Sequence, residues 1–205
     1  IVNPGEYVLI PSPEYTGYRG GAIFSGAKAY EMPLRAANGF LPDLEKIPLS
    51  VRNKSRLIYV NYPNNPTSAL APRDFLEKLV EFCAKYGIVL AYDNAYSEIY
   101  FEEKPLSILE IPGAKEVALE FHSFSKTFCM TGFRIGWACG NEFLVKALLK
   151  VKTNFDSGVF SAIQCAAETA LTNQHYMDDV RCRIKQRRDF FVKGLQRMFP
   201  KVYAD

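Results

Sequence analysis

Short apolar runs, separated by polar or turn-forming residues, recur through the first two thirds of the chain. They predict strands over residues 6–10, 28–33, 56–60, 88–91, 117–121 and 135–139. Between Pro72 and Gly87 the apolar positions instead recur at helical spacing, with charged residues outside, which predicts an amphipathic helix. A strand, a helix and a second strand at this spacing form a βαβ unit, in which the two strands are parallel.

The same patterns predict further helices over residues 18–26, 41–47, 141–152, 159–171 and 176–198. We therefore expect an α/β fold, with a mainly parallel sheet sandwiched by helices. The last helix carries several basic residues together with acidic ones, which is typical of a solvated helix face. These basic residues are Arg181, Arg183, Lys185, Arg187 and Arg188.

Both ends of the sequence look like points at which a longer sequence has been cut. The chain opens at Ile1 without a methionine, in a turn-like segment, and a new extended segment is predicted over residues 201–204. We expect this chain to be the middle of a longer protein. Its predicted organisation is a main domain over residues 1–175, followed by a long helix over residues 176–205 that leads out of that domain.

The composition excludes several classes of protein. Of 205 residues, 48% are hydrophobic and 23% charged, which is ordinary for a globular protein and argues against disorder. No apolar run is long enough to span a bilayer, and a net charge of +3 gives no reason to expect nucleic acid as a partner. The five cysteines are odd in number and never form Cys-x-x-Cys, which argues against a metal site and favours a reducing, cytoplasmic location.

Lys126 stands shortly after the predicted strand 117–121, where a buried ammonium would be costly without a partner. A lysine amine made less basic by partial burial and a nearby cation attacks carbonyls, and the aldehyde of pyridoxal phosphate is a common partner. Ser123, Ser125 and Arg134 would then hold the phosphate, the hydroxyls and the guanidinium acting as donors. The alternative is a surface turn with a solvated lysine.

Asp93 follows the predicted strand 88–91, and a carboxylate in that position either caps the next turn or meets a cation. In a pyridoxal site that cation is the ring nitrogen. Asn65 and Tyr96 are then candidates to bond the ring oxygen. Because parallel strands share one edge at their carboxyl ends, we expect Asn65, Asp93 and Lys126 to lie on the same edge.

Three other side chains near predicted strand ends have alternative roles. Tyr15 follows the strand 6–10 and either stacks on a flat ligand or packs under a loop. Asn64 is expected to shape the Asn-Pro-rich turn before residue 67. His122 is expected to be a hydrogen-bonded structural histidine rather than a catalytic one.

Taken together, four motifs closely resemble the class I and II aminotransferases of the fold type I pyridoxal phosphate group. They are Asn64-Asn65-Pro66-Thr67, Asp93-Asn94-Ala95-Tyr96, Ser123-Phe124-Ser125-Lys126 and Arg134-Ile135-Gly136. Within that group, residues 13–15, 150–154 and 156–160 look most like the LL-diaminopimelate aminotransferases and their aspartate or alanine aminotransferase relatives. The chain departs from the family at Ser68, where relatives usually have glycine.

The resemblance implies that Lys126 forms a Schiff base with pyridoxal phosphate and later moves the substrate Cα proton. It assigns the ring nitrogen to Asp93, the ring oxygen to Asn65 and Tyr96, and the ring face to Tyr15. It assigns the phosphate to Ser123, Ser125 and Arg134. Residues 1–175 would be the cofactor-binding large domain without its N-terminal part, and residues 176–205 would lead into a C-terminal small domain. Family members are homodimers that act on amino acids and 2-oxo acids.

Two other functions share these features. A lyase of the same fold would have the same cofactor residues and differ on the substrate side. An aminotransferase-like sensing domain in a transcription regulator would carry a DNA-binding segment before Ile1. Among aminotransferases, the residues leave diaminopimelate, aspartate and alanine open as substrates.

Overall fold

A six-stranded sheet forms the centre of residues 1–200, which are the residues that the computed structural model describes. The strands are β1 (Tyr7–Ser12), β2 (Lys28–Pro33), β3 (Ser55–Asn61), β4 (Val89–Asp93), β5 (Ala118–Ser123) and β6 (Gly136–Gly140). Their order is β2-β1-β3-β4-β5-β6. The first five are parallel to their neighbours and β6 is antiparallel to β5. The predicted α/β class with a mainly parallel sheet is confirmed.

Helices connect these strands and follow them. They are α1 (Thr16–Phe24), α2 (Leu49–Arg52), α3 (Arg73–Tyr86), α4 (Ala114–Val117), α5 (Phe124–Thr127), α6 (Glu142–Phe155), α7 (Ser161–Leu171) and α8 (Gln174–Met198). Single 3-10 turns lie at Ala36–Asn38, Leu44–Lys46, Ile108–Glu110 and Thr131–Phe133. No helix within residues 1–200 is both long and apolar enough to cross a membrane.

The core lies on both faces of the sheet because side chains alternate along each strand. On one face, buried residues of β1, β3 and β4 pack with the apolar side of α3. On the other face, Val8 and Ile10 of β1 pack with Tyr18 and Ala22 of α1. Gly87 ends α3 in the left-handed conformation at φ 64°, as its position after the helical pattern predicts. The sheet is therefore packed between helices, which hold the strand ends in place.

The helix predicted over residues 41–47 is wrong in extent. The structure forms only the 3-10 turn Leu44–Lys46, with the Asp43 carboxylate accepting a hydrogen bond from the Glu45 N–H at 3.2 Å. Prolines flank this turn at positions 42 and 48, and a residue before proline disfavours the helical region. Ile47, which precedes Pro48, is accordingly extended at ψ 123°.

The solvated basic face predicted for the last helix is also wrong in part. The Arg181 side chain is only 18% exposed and Arg188 30% exposed. Their guanidinium groups lie over the rings of Tyr100 and Phe101, 4.2 and 4.1 Å from the ring centroids. The loop after β4 thus covers one side of α8. The extended segment predicted over residues 201–204 lies outside the described residues.

Candidate active site

The carboxyl ends of β3, β4 and β5 lie side by side at one edge of the sheet. Asn61 at the end of β3 is opposite Asp93 at the end of β4, and Asp93 is opposite Phe121 of β5. Lys126 follows on α5, directly after β5. The topology therefore brings the loop of Asn65, the acid and the lysine to the same edge.

The Asp93 carboxylate is held by two donors from its own chain. Its Oδ2 accepts a hydrogen bond from the Tyr18 hydroxyl at 2.6 Å, and its Oδ1 accepts one from the Ala95 N–H at 3.2 Å. Burial, and next the charge of Asp93, raise the pKa of Tyr18, so the phenol stays protonated and donates. Asp93 thus caps its turn, which is one of the two roles weighed for it, and its pairing with a cation stays a prediction. Each carboxylate oxygen can accept a further hydrogen bond.

Two asparagines, Asn61 and Asn64, hold the loop that follows β3 and contains Asn65. Asn64 is 5% exposed, and its Oδ1 accepts hydrogen bonds from the N–H and hydroxyl of Thr67 at 3.2 and 2.6 Å. The predicted turn-shaping role of Asn64 is confirmed. Asn61 was not predicted to have a role, yet its Oδ1 accepts the Asn65 N–H at 2.7 Å and its Nδ2 donates to the Asp93 carbonyl at 2.9 Å. Asn61 therefore ties the ends of β3 and β4 together.

Tyr96 lies between Asn65 and Lys126. Asn65 and Tyr96 line the same cleft, and the Lys126 Nζ lies 5.7 Å from the centroid of the Tyr96 ring. Burial, and then the Asp93 charge, raise the pKa of Tyr96, which keeps its hydroxyl available as a donor. Asn65, Tyr96 and Lys126 are therefore neighbours at this edge, and Asp93 is close enough to Tyr96 for its charge to act on the phenol.

Tyr15 is 57% exposed, so packing under a loop does not describe it. Its ring meets the ring of Tyr18 edge to face, with centroids 5.7 Å apart. Tyr18 in turn stacks on Tyr59 at 4.6 Å. Sequence reasoning missed Tyr18 as a site residue. Its place one helical turn after Tyr15 was the available signal, since residues three apart share a helix face.

The predicted phosphate group residues lie on the turn that joins β5 to β6. The Ser125 N–H donates to the Ser123 hydroxyl at 3.2 Å, and the Phe124 N–H donates to the carbonyl of Ile135 at 3.3 Å. That contact brings the loop of Arg134 back to the start of α5. Arg134 is in the left-handed conformation at φ 54° and donates to the Thr131 carbonyl at 2.9 Å. Within residues 1–200, no hydrogen bond joins Arg134 directly to the two serine hydroxyls.

A buried carboxylate on β5 was not predicted. Glu120 of β5 is 2% exposed and accepts hydrogen bonds from four groups. These donors are Asn94 Nδ2 at 3.0 Å, Ser107 Oγ at 2.7 Å, Ile108 N–H at 2.8 Å and His122 Nε2 at 2.7 Å. Burial raises the pKa of Glu120, but the hydrogen bonds from His122, Ser107 and Asn94 outweigh it, so the pKa lies below its usual value. A lone acid in an apolar strand was the signal for this network.

His122 belongs to that network. Besides its bond to Glu120, its ring stacks on Trp137 of β6, with centroids 3.9 Å apart. The prediction of a hydrogen-bonded structural histidine is confirmed. Within residues 1–200, no group of three or more His, Cys, Asp or Glu side chains has an arrangement that could hold a metal ion.

The donor set suits one kind of ligand. An open cleft of about 450 Å³ adjoins the site, with Asn65 and Tyr96 on its wall. The Asp93 carboxylate, the Tyr96 phenol and the Lys126 amine lie at this edge of the sheet. The hydroxyls of two serines and the Arg134 guanidinium lie on the turn that follows β5. This is the chemistry that an aromatic aldehyde with a ring nitrogen, a ring oxygen and a phosphate requires.

Comparison with known proteins identifies the family. The family model of aminotransferase class I and II matches residues 1–204. An LL-diaminopimelate aminotransferase 2 from Nostoc sp. is 52% identical over 198 residues, which are 96% of this chain and 51% of that protein. An LL-diaminopimelate aminotransferase from Natranaerobius thermophilus is 49% identical over 205 residues, covering 99% of this chain and 53% of that protein.

A solved structure agrees with these relatives. The substrate-bound BacF structure from Bacillus subtilis has a TM-score of 0.94 and 39% identity, covering 98% of this chain and 51% of that one. The chain therefore belongs to the class I and II aminotransferases, a family that uses pyridoxal phosphate. The chain spans about half the length of the curated relatives it matches. These matches give no support to the lyase or the regulator alternative over an aminotransferase.

Proposed function

We propose that this chain is the cofactor-binding part of a pyridoxal phosphate-dependent aminotransferase, which moves an amino group from an amino acid to a 2-oxo acid. The observation that carries the proposal is the convergence of Asp93, Tyr96 and Lys126 at one sheet edge. When bound, the cofactor supplies an electron sink for the bonds at the substrate Cα. Family membership supports the same reaction.

On the ring side, Asp93 would hold the proton of the ring nitrogen, because its carboxylate is already oriented by Tyr18. Asn65 and Tyr96 would donate hydrogen bonds to the ring oxygen. The exposed ring of Tyr15 would lie against the face of the cofactor. Each of these roles uses a side chain whose position is set by contacts within residues 1–200.

On the lysine side, the Lys126 amine would attach the cofactor and then carry the proton to and from the substrate Cα. The Lys126 Nζ lies 5.7 Å from the centroid of the Tyr96 ring, beside the proposed donors to the ring oxygen. Ser123, Ser125 and Arg134 would hold the phosphate. The Arg134 guanidinium is exposed and can turn toward a phosphate at the start of α5.

We further propose LL-diaminopimelate as the first amino donor to test. Two relatives that are 52% and 49% identical to this chain are named LL-diaminopimelate aminotransferases. A role in amino acid biosynthesis follows from that substrate. We propose a homodimer in the cytoplasm, with no membrane or nucleic acid partner. The five free cysteines are consistent with a reducing compartment.

Borohydride reduction of the cofactor-loaded full-length protein, followed by peptide mapping, tests the central role. We expect a pyridoxyl label on Lys126, and no label in a Lys126→Ala variant. Lys115→Ala, on the exposed surface of α4, is the control and should label normally. A label on another lysine in the unmodified protein would contradict the proposal.

A single-turnover experiment separates transfer from elimination. With LL-diaminopimelate or glutamate and no acceptor, an aminotransferase releases one 2-oxo acid per site and keeps the nitrogen. Continued release of ammonia would instead indicate a lyase.

A further inference from the structure

One side of α8 lies against the segment that follows Tyr96. We call residues 98–102 the post-tyrosine segment. Arg181 is its main partner, because the Arg181 Nε donates to the Glu98 carbonyl at 3.1 Å and its Nη2 lies 3.4 Å from the Glu98 carboxylate. The same guanidinium lies over the Tyr100 ring and donates to Asp178 at 2.9 Å. All of the Arg181 contacts are charge-assisted or stacked, which fixes a planar group strongly.

Two more cations continue this contact along the helix. Lys185 Nζ donates to the Phe101 carbonyl at 3.4 Å and lies 3.7 Å from Glu102. Arg188 lies over the Phe101 ring at 4.1 Å. Residues 181, 185 and 188 are spaced four and three apart, so they share one helix face. The post-tyrosine segment is thus held by α8 along its whole length.

One peptide group connects this contact to Tyr96. The peptide between Glu98 and Ile99 accepts the Arg181 hydrogen bond on its carbonyl. Its N–H, which belongs to Ile99, donates to the Tyr96 carbonyl at 2.9 Å. Because a peptide group is planar and rigid, a shift at its carbonyl moves its N–H as well. Arg181 therefore acts on the backbone of Tyr96 through a single rigid unit.

We infer that Arg181 is a positioning residue, which sets the place of the Tyr96 hydroxyl at the cofactor ring by holding the Glu98–Ile99 peptide. This inference rests on the proposed function, since it needs Tyr96 to contact the ring. Lys185 and Arg188 support the same segment further along. The last helix is thereby coupled to the site through Arg181.

A double-mutant cycle in the full-length protein tests the inference. The variants are Arg181→Met, Tyr96→Phe and the double variant, with Arg183→Met on the same helix as control. Two quantities are measured: the affinity of the apoprotein for pyridoxal 5′-phosphate, and the pH midpoint of the absorption change of the bound cofactor. We expect Tyr96→Phe and Arg181→Met to shift the midpoint in the same direction and to weaken affinity about three- to tenfold.

In the double variant we expect Arg181→Met to add nothing to Tyr96→Phe, because its effect passes through the phenol. Arg183→Met should leave both quantities unchanged. Should Arg181→Met not fold, Arg181→Lys serves instead, since it keeps the charge but loses the guanidinium geometry; its shift should be smaller and in the same direction.

Three outcomes would overturn the inference. The first is a normal midpoint and affinity in Arg181→Met beside a shifted Tyr96→Phe, and the second is a full additional effect of Arg181→Met in the Tyr96→Phe background. If Tyr96→Phe itself shifts nothing, Tyr96 does not contact the ring and the inference fails with it. Failure of the proposed function is recognised separately, by the absence of a pyridoxyl label on Lys126.

Discussion

The two halves of the candidate site are built differently. The acid side comprises Asn65, Asp93 and Tyr96 at the ends of β3 and β4, and the lysine side comprises Ser123, Lys126 and Arg134 on the β5–β6 connection. On the acid side, side chains hold one another: the Tyr18 hydroxyl donates to Asp93, and in the loop of Asn65 the Thr67 hydroxyl donates to Asn64 Oδ1. On the lysine side, the contacts are mainly to backbone, such as Arg134 to the Thr131 carbonyl.

This difference in contacts indicates which groups are already oriented before a ligand binds. Groups that must keep a charge or a donor fixed against a ring benefit from preorganisation, because no reorganisation is then needed during reaction. The proposed roles of Lys126 in proton transfer and of Arg134 in phosphate binding instead use side chains on the β5–β6 connection. The acid side is therefore held by hydrogen bonds between side chains, and the lysine side mainly by hydrogen bonds to the backbone.

The largest expected effect comes from removing the charge of the acid side. Asp93→Asn keeps the shape and the Tyr18 contact but cannot hold a proton on the ring nitrogen, so we expect kcat/KM to fall about 10²- to 10³-fold. Steady-state kinetics of the full-length protein measure this. Asp74→Asn, on the exposed face of α3, should change nothing. A fully active Asp93→Asn protein would show that the acid side has no electrostatic role.

The next effect concerns Glu120, which is buried on β5. Glu120→Gln should lower the free energy of unfolding by about 1.5 to 3 kcal/mol at pH 7, because hydrogen bonds to a buried charge are lost. Chemical denaturation measures it, with the exposed Glu116→Gln as control.

We also expect the contribution of Glu120 to the free energy of unfolding to depend on pH. The pKa of Glu120 in the folded protein lies below its ordinary value of 4.5, since the hydrogen bonds from His122, Ser107 and Asn94 outweigh the effect of burial. The unfolded chain therefore takes up the proton first as pH falls. The stabilisation is complete above pH 4.5 and is lost as pH falls below it. Glu120→Gln should lose less stability over that range, and parallel pH profiles of the two proteins would contradict this.

The lysine side can be displaced through its backbone. A Cβ added at Gly136 would lie 2.6 Å from the His122 carbonyl oxygen, where β5 and β6 pair. Gly136→Ala should cost about 1 to 3 kcal/mol of stability and weaken phosphate binding, because the loop of Arg134 must shift. Gly132→Ala, in the same loop, has no atom within 4 Å of its added Cβ and is the matched control. Equal stability and cofactor affinity in the two variants would remove the role assigned to this strand pairing.

The smallest expected effect refines the acid side. Tyr18→Phe removes the hydroxyl that donates to Asp93 at 2.6 Å and keeps the ring. We expect cofactor affinity to weaken about three- to tenfold, as measured by reconstitution of the apoprotein. Tyr59→Phe, which keeps the ring stacked on Tyr18, should bind normally. If both variants bind alike, the orientation of Asp93 does not depend on that hydrogen bond.

Much of the fold and part of the site could be predicted from local patterns. The strands followed from apolar runs, and Asn65, Asp93 and Lys126 were placed on one edge because parallel strands end together. The glycine that relatives usually have at position 68 also has a local reason. Ser68 lies at φ 60°, a conformation that glycine adopts without cost. Tyr18, Asn61 and Glu120 were missed because the partners that give them a role lie elsewhere in the chain.

The basic face of α8 shows the same limit. Charges on a helix predict solvent, and the prediction failed for Arg181 because the post-tyrosine segment, which belongs to a distant part of the chain, folds back over it. Nothing in the helical spacing of residues 181, 185 and 188 distinguishes a side chain in water from one over an aromatic ring.

Periodicity and motif order along the chain were enough to establish strand, helix and family, because those properties depend on residues a few positions apart. The contacts that orient the site depended on folding, since a hydrogen bond forms only when its atoms come within about 3 Å. Tyr18 and Asp93 are 75 residues apart, and Glu98 and Arg181 are 83 apart. Such pairs meet only through the crossover connections of the sheet and the return of α8, which no local pattern encodes.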